Sequence, residues 1–223
     1  MADLLDTSQF ITKICGLQSA DAAQVAIDAN SLLLGIICVP NRKRTVDPSE
    51  AKKISVKVRA ARDERQKRGL AGPFLVGVFR NQEVEEVQRI KSDYGIDFVQ
   101  LHGSEDWQRY QKALPGTLLI KRFIFPNDCS LVEELSHVKN PGCLPLFDSE
   151  AGGTGEQLDW DAISDWSNET GATFILAGGL SPHNVKTASQ LTGVRGVDVS
   201  GGVETDGLKD FNKIRLFLSE ASK

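Results

Sequence analysis

Eight short apolar runs, each followed by a turn and a polar segment of helical period, predict an α/β protein: a (β/α)8 TIM barrel forming a single domain over residues 1–223. Two further observations point the same way. Runs such as Leu32-Leu33-Leu34-Gly35-Ile36-Ile37-Cys38-Val39 are apolar on both faces, as parallel strands covered by helices are. Shared among eight units, the chain leaves about 28 residues for each, compact but sufficient for a barrel whose usual size is roughly 250 residues. A doubly wound open sheet needs five or six strands and leaves the last two unexplained.

The elements follow in order. The expected strands are 11–17, 32–39, 74–79, 98–102, 118–125, 144–148, 173–177 and 196–199, each β-rich and bounded by turn residues. The expected helices are 20–29, 48–65, 83–93, 105–113, 130–139, 161–169, 182–191 and 208–221. Asp47-Pro48-Ser49-Glu50 and Ser181-Pro182-His183-Asn184 are the clearest helix starts, with a capping side chain followed by proline. The polar stretch 59–72 reads as a solvated helix end and loop, and Trp107, Trp160 and Trp166 as helix packing residues.

Composition limits the function. Apolar residues make up 40% and charged residues 25%, which excludes a disordered chain and a collagen-like fibre. The net charge of −4, without a basic stripe, excludes nucleic acid as main partner. The acidic start MADLLDTSQF and the lack of a long apolar run point away from a membrane and towards the cytoplasm. Cys15, Cys38, Cys129 and Cys143 form no C-x-x-C pair and have no histidine cluster nearby, so reduced thiols and no metal site are expected. No long exposed apolar helix stands out, and a monomer is expected.

In this fold, chemistry gathers where strands end. Those positions hold Cys15, Arg42, Lys43, Arg44, Arg80, His102, Arg122, Asp148, Gly178 with Gly179, and Ser200 with Gly201 and Gly202. Glycine turns after the seventh and eighth strands let backbone N–H groups approach a phosphate, and Gly152-Gly153-Thr154-Gly155 after the sixth is placed to close over the same ligand. Cys15 is a base or nucleophile if cations lower its pKa, and otherwise a small buried hydrophobe, as Cys38, Cys129 and Cys143 are read. Asp148, at the tip of an apolar strand, is either a carboxyl whose pKa burial raises or a local turn residue. A base and an acid facing each other across the mouth suit an isomerisation. Within the run 41–45 an arginine is able to grip a carboxylate bidentately, although such runs are usually solvated loops. His102 is either a satisfied core histidine or a participant.

Several of these segments together resemble phosphoribosylanthranilate isomerase of tryptophan biosynthesis, in its single-function fungal form. They are Lys13-Ile14-Cys15-Gly16-Leu17, GIICVPNRKRT at 35–45, Val76-Gly77-Val78-Phe79, Val99-Gln100-Leu101-His102-Gly103, Leu146-Phe147-Asp148-Ser149, Leu176-Ala177-Gly178-Gly179-Leu180 and 196–204. The resemblance runs in order from about Lys13 to about Lys213. It implies an Amadori rearrangement without metal or organic cofactor, with Cys15 as general base, Asp148 as general acid and Arg44 facing the anthranilate carboxylate of a small phosphorylated substrate. Arg44, His102, Gly152, Gly153, Gly178, Gly179, Asp198, Ser200, Gly201 and Gly202 make up the expected substrate-binding set. Two alternatives stay open: another phosphate-handling barrel, which needs a catalytic lysine or a metal-ligand set at strand ends, and a barrel that only binds.

Overall fold

The computed structural model describes residues 9–139, 141–149 and 158–221. Along the chain run β1 (Ile11–Ile14), α1 (Ala20–Asp28), β2 (Leu33–Ile37), α2 (Pro48–Gln66), β3 (Phe74–Phe79), α3 (Val84–Tyr94), β4 (Phe98–Leu101) and α4 (Trp107–Ala113). They are followed by β5 (Leu119–Phe123), α5 (Cys129–His137), β6 (Cys143–Phe147), α6 (Trp160–Thr170), β7 (Phe174–Leu176), α7 (Val185–Ser189), β8 (Val194–Val199), a short hairpin β9 (Glu204–Thr205) and β10 (Leu208–Lys209), and α8 (Phe211–Ala221). Strands β1 to β8 close into a barrel, each parallel to its neighbours. Closure is made by β8 on β1, with Ile11 opposite Gly196 and Lys13 opposite Asp198.

Local chemistry explains the helix starts. Asp47 accepts the backbone N–H of Ser49 at 2.8 Å while Pro48 supplies a first helical residue that needs no acceptor. Asp106 and Asp159 cap α4 and α6 in the same way. Trp107, Trp160 and Trp166 pack against the layer between barrel and helices, as their spacing suggests. No helix is long and apolar enough to cross a membrane.

Two elements differ from expectation. The helix expected over 182–191 is only the five residues of α7, because the Asn184 side chain is diverted from capping. Its Oδ1 accepts the Ser181 N–H at 2.8 Å and its Nδ2 donates to the Gly179 carbonyl at 3.0 Å, so the chain before Val185 stays a loop. The helix expected over 208–221 begins at Phe211, since Leu208 and Lys209 pair with Thr205 and Glu204. Asp206 and Gly207 turn that hairpin with φ of 51° and 80°, the left-handed pair that an Asp-Gly turn favours.

Side chains alternate along each strand, so one parity of residues fills the barrel. Ile11, Leu33, Val76, Phe98, Ile120, Leu146 and Ile175 form this inner cluster. Two or four residues further on, the same faces carry Lys13 on β1 and Cys15 just after it, Gln100 on β4 and His102 just after it, Arg122 on β5, Asp148 after β6 and Asp198 on β8. The interior therefore changes from apolar to charged towards the C-terminal ends of the strands.

Candidate active site

At that end opens a cavity of about 720 Å³, lined by residues of seven strand ends: Cys15, Arg44, Arg80, Gln100, His102, Asp148, Gly178, Gly179, Ser181, Asp198, Ser200, Gly201 and Gly202 among them. Every expected site residue that the structure describes is therefore in one place. Gly152 and Gly153 lie outside the described residues.

Cys15 follows β1, and its backbone N–H donates to the Val199 carbonyl at 2.8 Å, carrying the ladder past the end of the strand. Gly35 on β2 makes room for it. A Cβ there would meet the Cys15 sulfur at 2.8 Å and the Lys13 Nζ at 3.2 Å, so thiol and ammonium both press against a glycine. Burial pushes the thiol pKa up, with Lys13 opposing and Asp198 reinforcing the rise. The lowered pKa that the base reading asked for is thus not what the pocket imposes: desolvation outweighs the neighbouring cation.

Asp148 is almost fully enclosed, and burial raises its pKa, with Asp198 adding to the rise and Arg122 and Lys13 opposing. Oδ1 accepts the Ser149 N–H at 2.8 Å, a bond to the next residue that opposes the rise. Its other oxygen stands 3.7 Å from Nε2 of His102. Burial, helped by Arg122, Lys13 and Arg80, lowers the His102 pKa to about 3, so the imidazole is neutral and this approach is no ion pair. Nδ1 lies 3.5 Å from the Gln100 amide nitrogen. If that amide donates, the imidazole proton sits on Nε2 and faces Asp148.

Arg44 is not a solvated loop cation, whereas Arg42 and Lys43 beside it are exposed. Its Nε and Nη2 grip both oxygens of Glu204 at 2.7 and 2.9 Å, and Glu204 also takes Lys209 at 2.9 Å. The guanidinium edge formed by Nε and Nη2 is thereby occupied, which leaves the Nη1 end for a ligand. Gly16, at φ 72°, is wedged under this cluster: a Cβ would meet Ser200 Oγ at 2.8 Å and Arg44 Cδ at 2.9 Å.

The glycine turns are built for close approach. Gly178 and Gly179 adopt φ of 84° and 63°, open to glycine at no steric cost. A Cβ on Gly202 would lie 1.8 Å from the Leu180 carbonyl, so the β7 and β8 loops touch backbone to backbone. The N–H groups of Gly178, Gly179 and Leu180 donate to no group among the described residues. Gly201 opens a single 3-10 turn (Gly201–Val203), whose first amides have no acceptor within the turn. Both loops line the cavity, and these N–H groups have no partner among the described residues.

The family model of N-(5'phosphoribosyl)anthranilate (PRA) isomerase matches residues 12–220. The chain belongs to this family. The N-(5'-phosphoribosyl)anthranilate isomerase of Saccharomyces kudriavzevii is 57% identical over 218 residues, covering 96% of this chain and 94% of that protein. The crystal structure of phosphoribosyl anthranilate isomerase from Thermotoga maritima superposes with a TM-score of 0.78 at 28% identity, covering 96% of this chain and 99% of that one. A second isomerase structure, in complex with reduced 1-(o-carboxyphenylamino)-1-deoxyribulose 5-phosphate, gives a TM-score of 0.76 at 28% identity and the same coverage.

In this isomerase-family mouth, sequence reasoning missed Lys13, Gln100, Glu204 and Lys209. Lys13 is fully buried and bonds Asp198 Oδ2 at 2.8 Å, while Asp198 Oδ1 is buried without a partner among the described residues. The available signal for Lys13 was parity: it shares the inner face of β1 with Cys15. Asp206-Gly207 was the signal for the hairpin that delivers Lys209.

Proposed function

We propose that the chain catalyses the Amadori rearrangement of N-(5-phosphoribosyl)anthranilate to 1-(2-carboxyphenylamino)-1-deoxyribulose 5-phosphate in tryptophan biosynthesis, with Asp148 as general acid and Cys15 as general base. The observation that carries this reading is a single cavity holding a buried carboxyl with raised pKa, a thiol, an arginine and two glycine loops with unused donors.

The chemistry fits those parts. Asp148 gives a proton to the ribose ring oxygen as its bond to C1 breaks, and the aromatic amine pushes its electron pair into a protonated imine. The imine acidifies the proton on C2. The Cys15 thiolate takes that proton, the C–H pair becomes the C1–C2 double bond of an enolamine, and tautomerisation gives the ketone. Only protons move, so no metal or organic cofactor is required. General acid and base terms are each worth roughly 10²–10⁴-fold, and fixed geometry supplies the rest. The loops after β7 and β8, with Ser200, Gly201, Gly202, Gly178 and Gly179, suit the phosphate, joined by Gly152 and Gly153. The Nη1 end of Arg44, whose guanidinium lies beside Gly201, suits the carboxylate. His102 suits the Asp148 side, and the unpartnered Oδ1 of Asp198 suits a ribose hydroxyl.

The test is the loss of anthranilate-type fluorescence when the purified protein meets phosphoribosylanthranilate generated in place. A folded protein without turnover would sink the reading. Arg44→Met should raise KM about tenfold to a hundredfold, the worth of a charged hydrogen bond, with a smaller change in kcat. An unchanged KM in steady-state kinetics would take Arg44 out of the carboxylate site.

We also place this chain in the cytoplasm, as one barrel domain working as a monomer without nucleic acid. Its net charge of −4 supports this. Elution at twice the 24.3 kDa mass on size exclusion would refute the monomer.

A further inference from the structure

We propose that Lys13, which the acid–base scheme above does not use, is the positioning residue that lets the Cys15 thiolate form in the closed end of the barrel. This rests on the base role of Cys15. Lys13 and Cys15 share the inner face of β1, and both reach the same Gly35 gap, within 3.2 and 2.8 Å of where a Cβ would stand. Lys13 has no exposed surface. A fully buried ammonium is costly unless paired, and its hydrogen-bonded counter-ion is Asp198, at 2.8 Å. If charge balance inside the barrel were the only requirement, two apolar residues would meet it more cheaply. The pair instead sits one layer beneath the thiol, where a negative charge must appear on sulfur.

The groups facing Cys15 come from several elements. Lys13 lies on its own strand, Asp198 on β8, Lys209 on β10, Arg44 on the loop after β2, and Cys38 beyond the end of β2. Among those that favour the thiolate, Lys13 acts most strongly and Lys209 less, while Asp198 acts against it. Lys209 and Arg44 are committed to Glu204, whereas Lys13 is pinned by a partner that also lines the cavity. Asp198 keeps its second oxygen unpartnered among the described residues. A substrate hydroxyl donating to that oxygen would draw off part of the carboxylate's charge and leave more of the Lys13 field to the sulfur.

The experiment is the pH dependence of Cys15 alkylation by iodoacetamide, read by mass spectrometry on the peptide that carries it, in the full chain without substrate. Lys13→Gln removes the charge and keeps a donor for Asp198. Its alkylation midpoint should move up, slowing the reaction about tenfold at a fixed pH below the midpoint, which is what a shift of one unit gives. With substrate, kcat should fall much more than KM changes. A Lys13→Gln protein with native circular dichroism and an unchanged alkylation profile would overturn the proposal. Should that variant not fold, the double change Lys13→Met with Asp198→Leu removes the buried pair without orphaning a charge: the midpoint should still move up, because Lys13 acts on the thiol more strongly than Asp198 does, and a midpoint that stays or falls refutes it. Because alkylation needs no turnover, failure of the isomerase reading and failure of this one are separately visible.

Discussion

Replacing Asp148 by Asn should leave a folded barrel and lower kcat by at least a factor of about 10²–10⁴. Asparagine keeps the shape and still accepts the Ser149 N–H that Oδ1 accepts at 2.8 Å. It has no acidic proton to give to the ring oxygen. The same change should not destabilise the protein. Burial raises the folded pKa of Asp148, so the native state binds its proton more tightly than the unfolded chain does. Stability is therefore greatest below the ordinary carboxyl range and is lost as pH rises towards the folded pKa; above the ordinary range the raised pKa is a cost that asparagine removes. A variant that loses activity while melting no lower than the parent would show the acid held at the expense of stability. Near-wild-type kcat at saturating substrate would remove Asp148 from the mechanism.

Cys15→Ser should be at least as damaging, about 10³-fold or more in kcat, with KM little changed. The hydroxyl fits the space that Gly35 leaves, but an alcohol in a site that already raises the thiol pKa yields almost no anion. The two groups together predict the pH profile of kcat/KM. The reactive form needs thiolate and protonated carboxyl at once, while the pocket pushes both groups towards their neutral forms. Rate then rises with pH as thiolate accumulates, flattens once Asp148 begins to ionise, and falls when Cys15 has ionised. The low break belongs to the carboxyl and the high break to the thiol, the reverse of a naive assignment. A profile without a low break, or one that Asp148→Asn leaves unchanged, would contradict this.

The barrel was legible because strands such as β2 and β3 are apolar on both faces and helices such as α2 are announced by a turn and a cap. The proposed acid–base pair stood out because Cys15 and Asp148 stand at strand ends, where core chemistry would put valine or leucine, and its roles came from the family resemblance. Burial by distant elements was not legible. Lys13 reads as an ordinary cation until its parity is matched with Asp198, a residue 185 positions away. Arg44 reads as one of three loop cations, and only the fold brings Glu204 across to hold it. The sign of the Cys15 shift depends on how far desolvation exceeds one neighbouring charge, a difference that a list of nearby residues does not contain.

The salt bridge between the first and last strands of the barrel also bears on how the chain is made. Lys13 enters the barrel interior, where its hydrogen-bonded counter-ion among the described residues, Asp198, belongs to β8. During synthesis the first seven strands emerge while that anion is still missing, and burying the ammonium without it is strongly unfavourable. The half-made chain is thus discouraged from closing around β1 until β8 arrives. The step that completes the catalytic mouth is then also the step that commits the chain to its fold, and such a long-range closure is intrinsically late and slow.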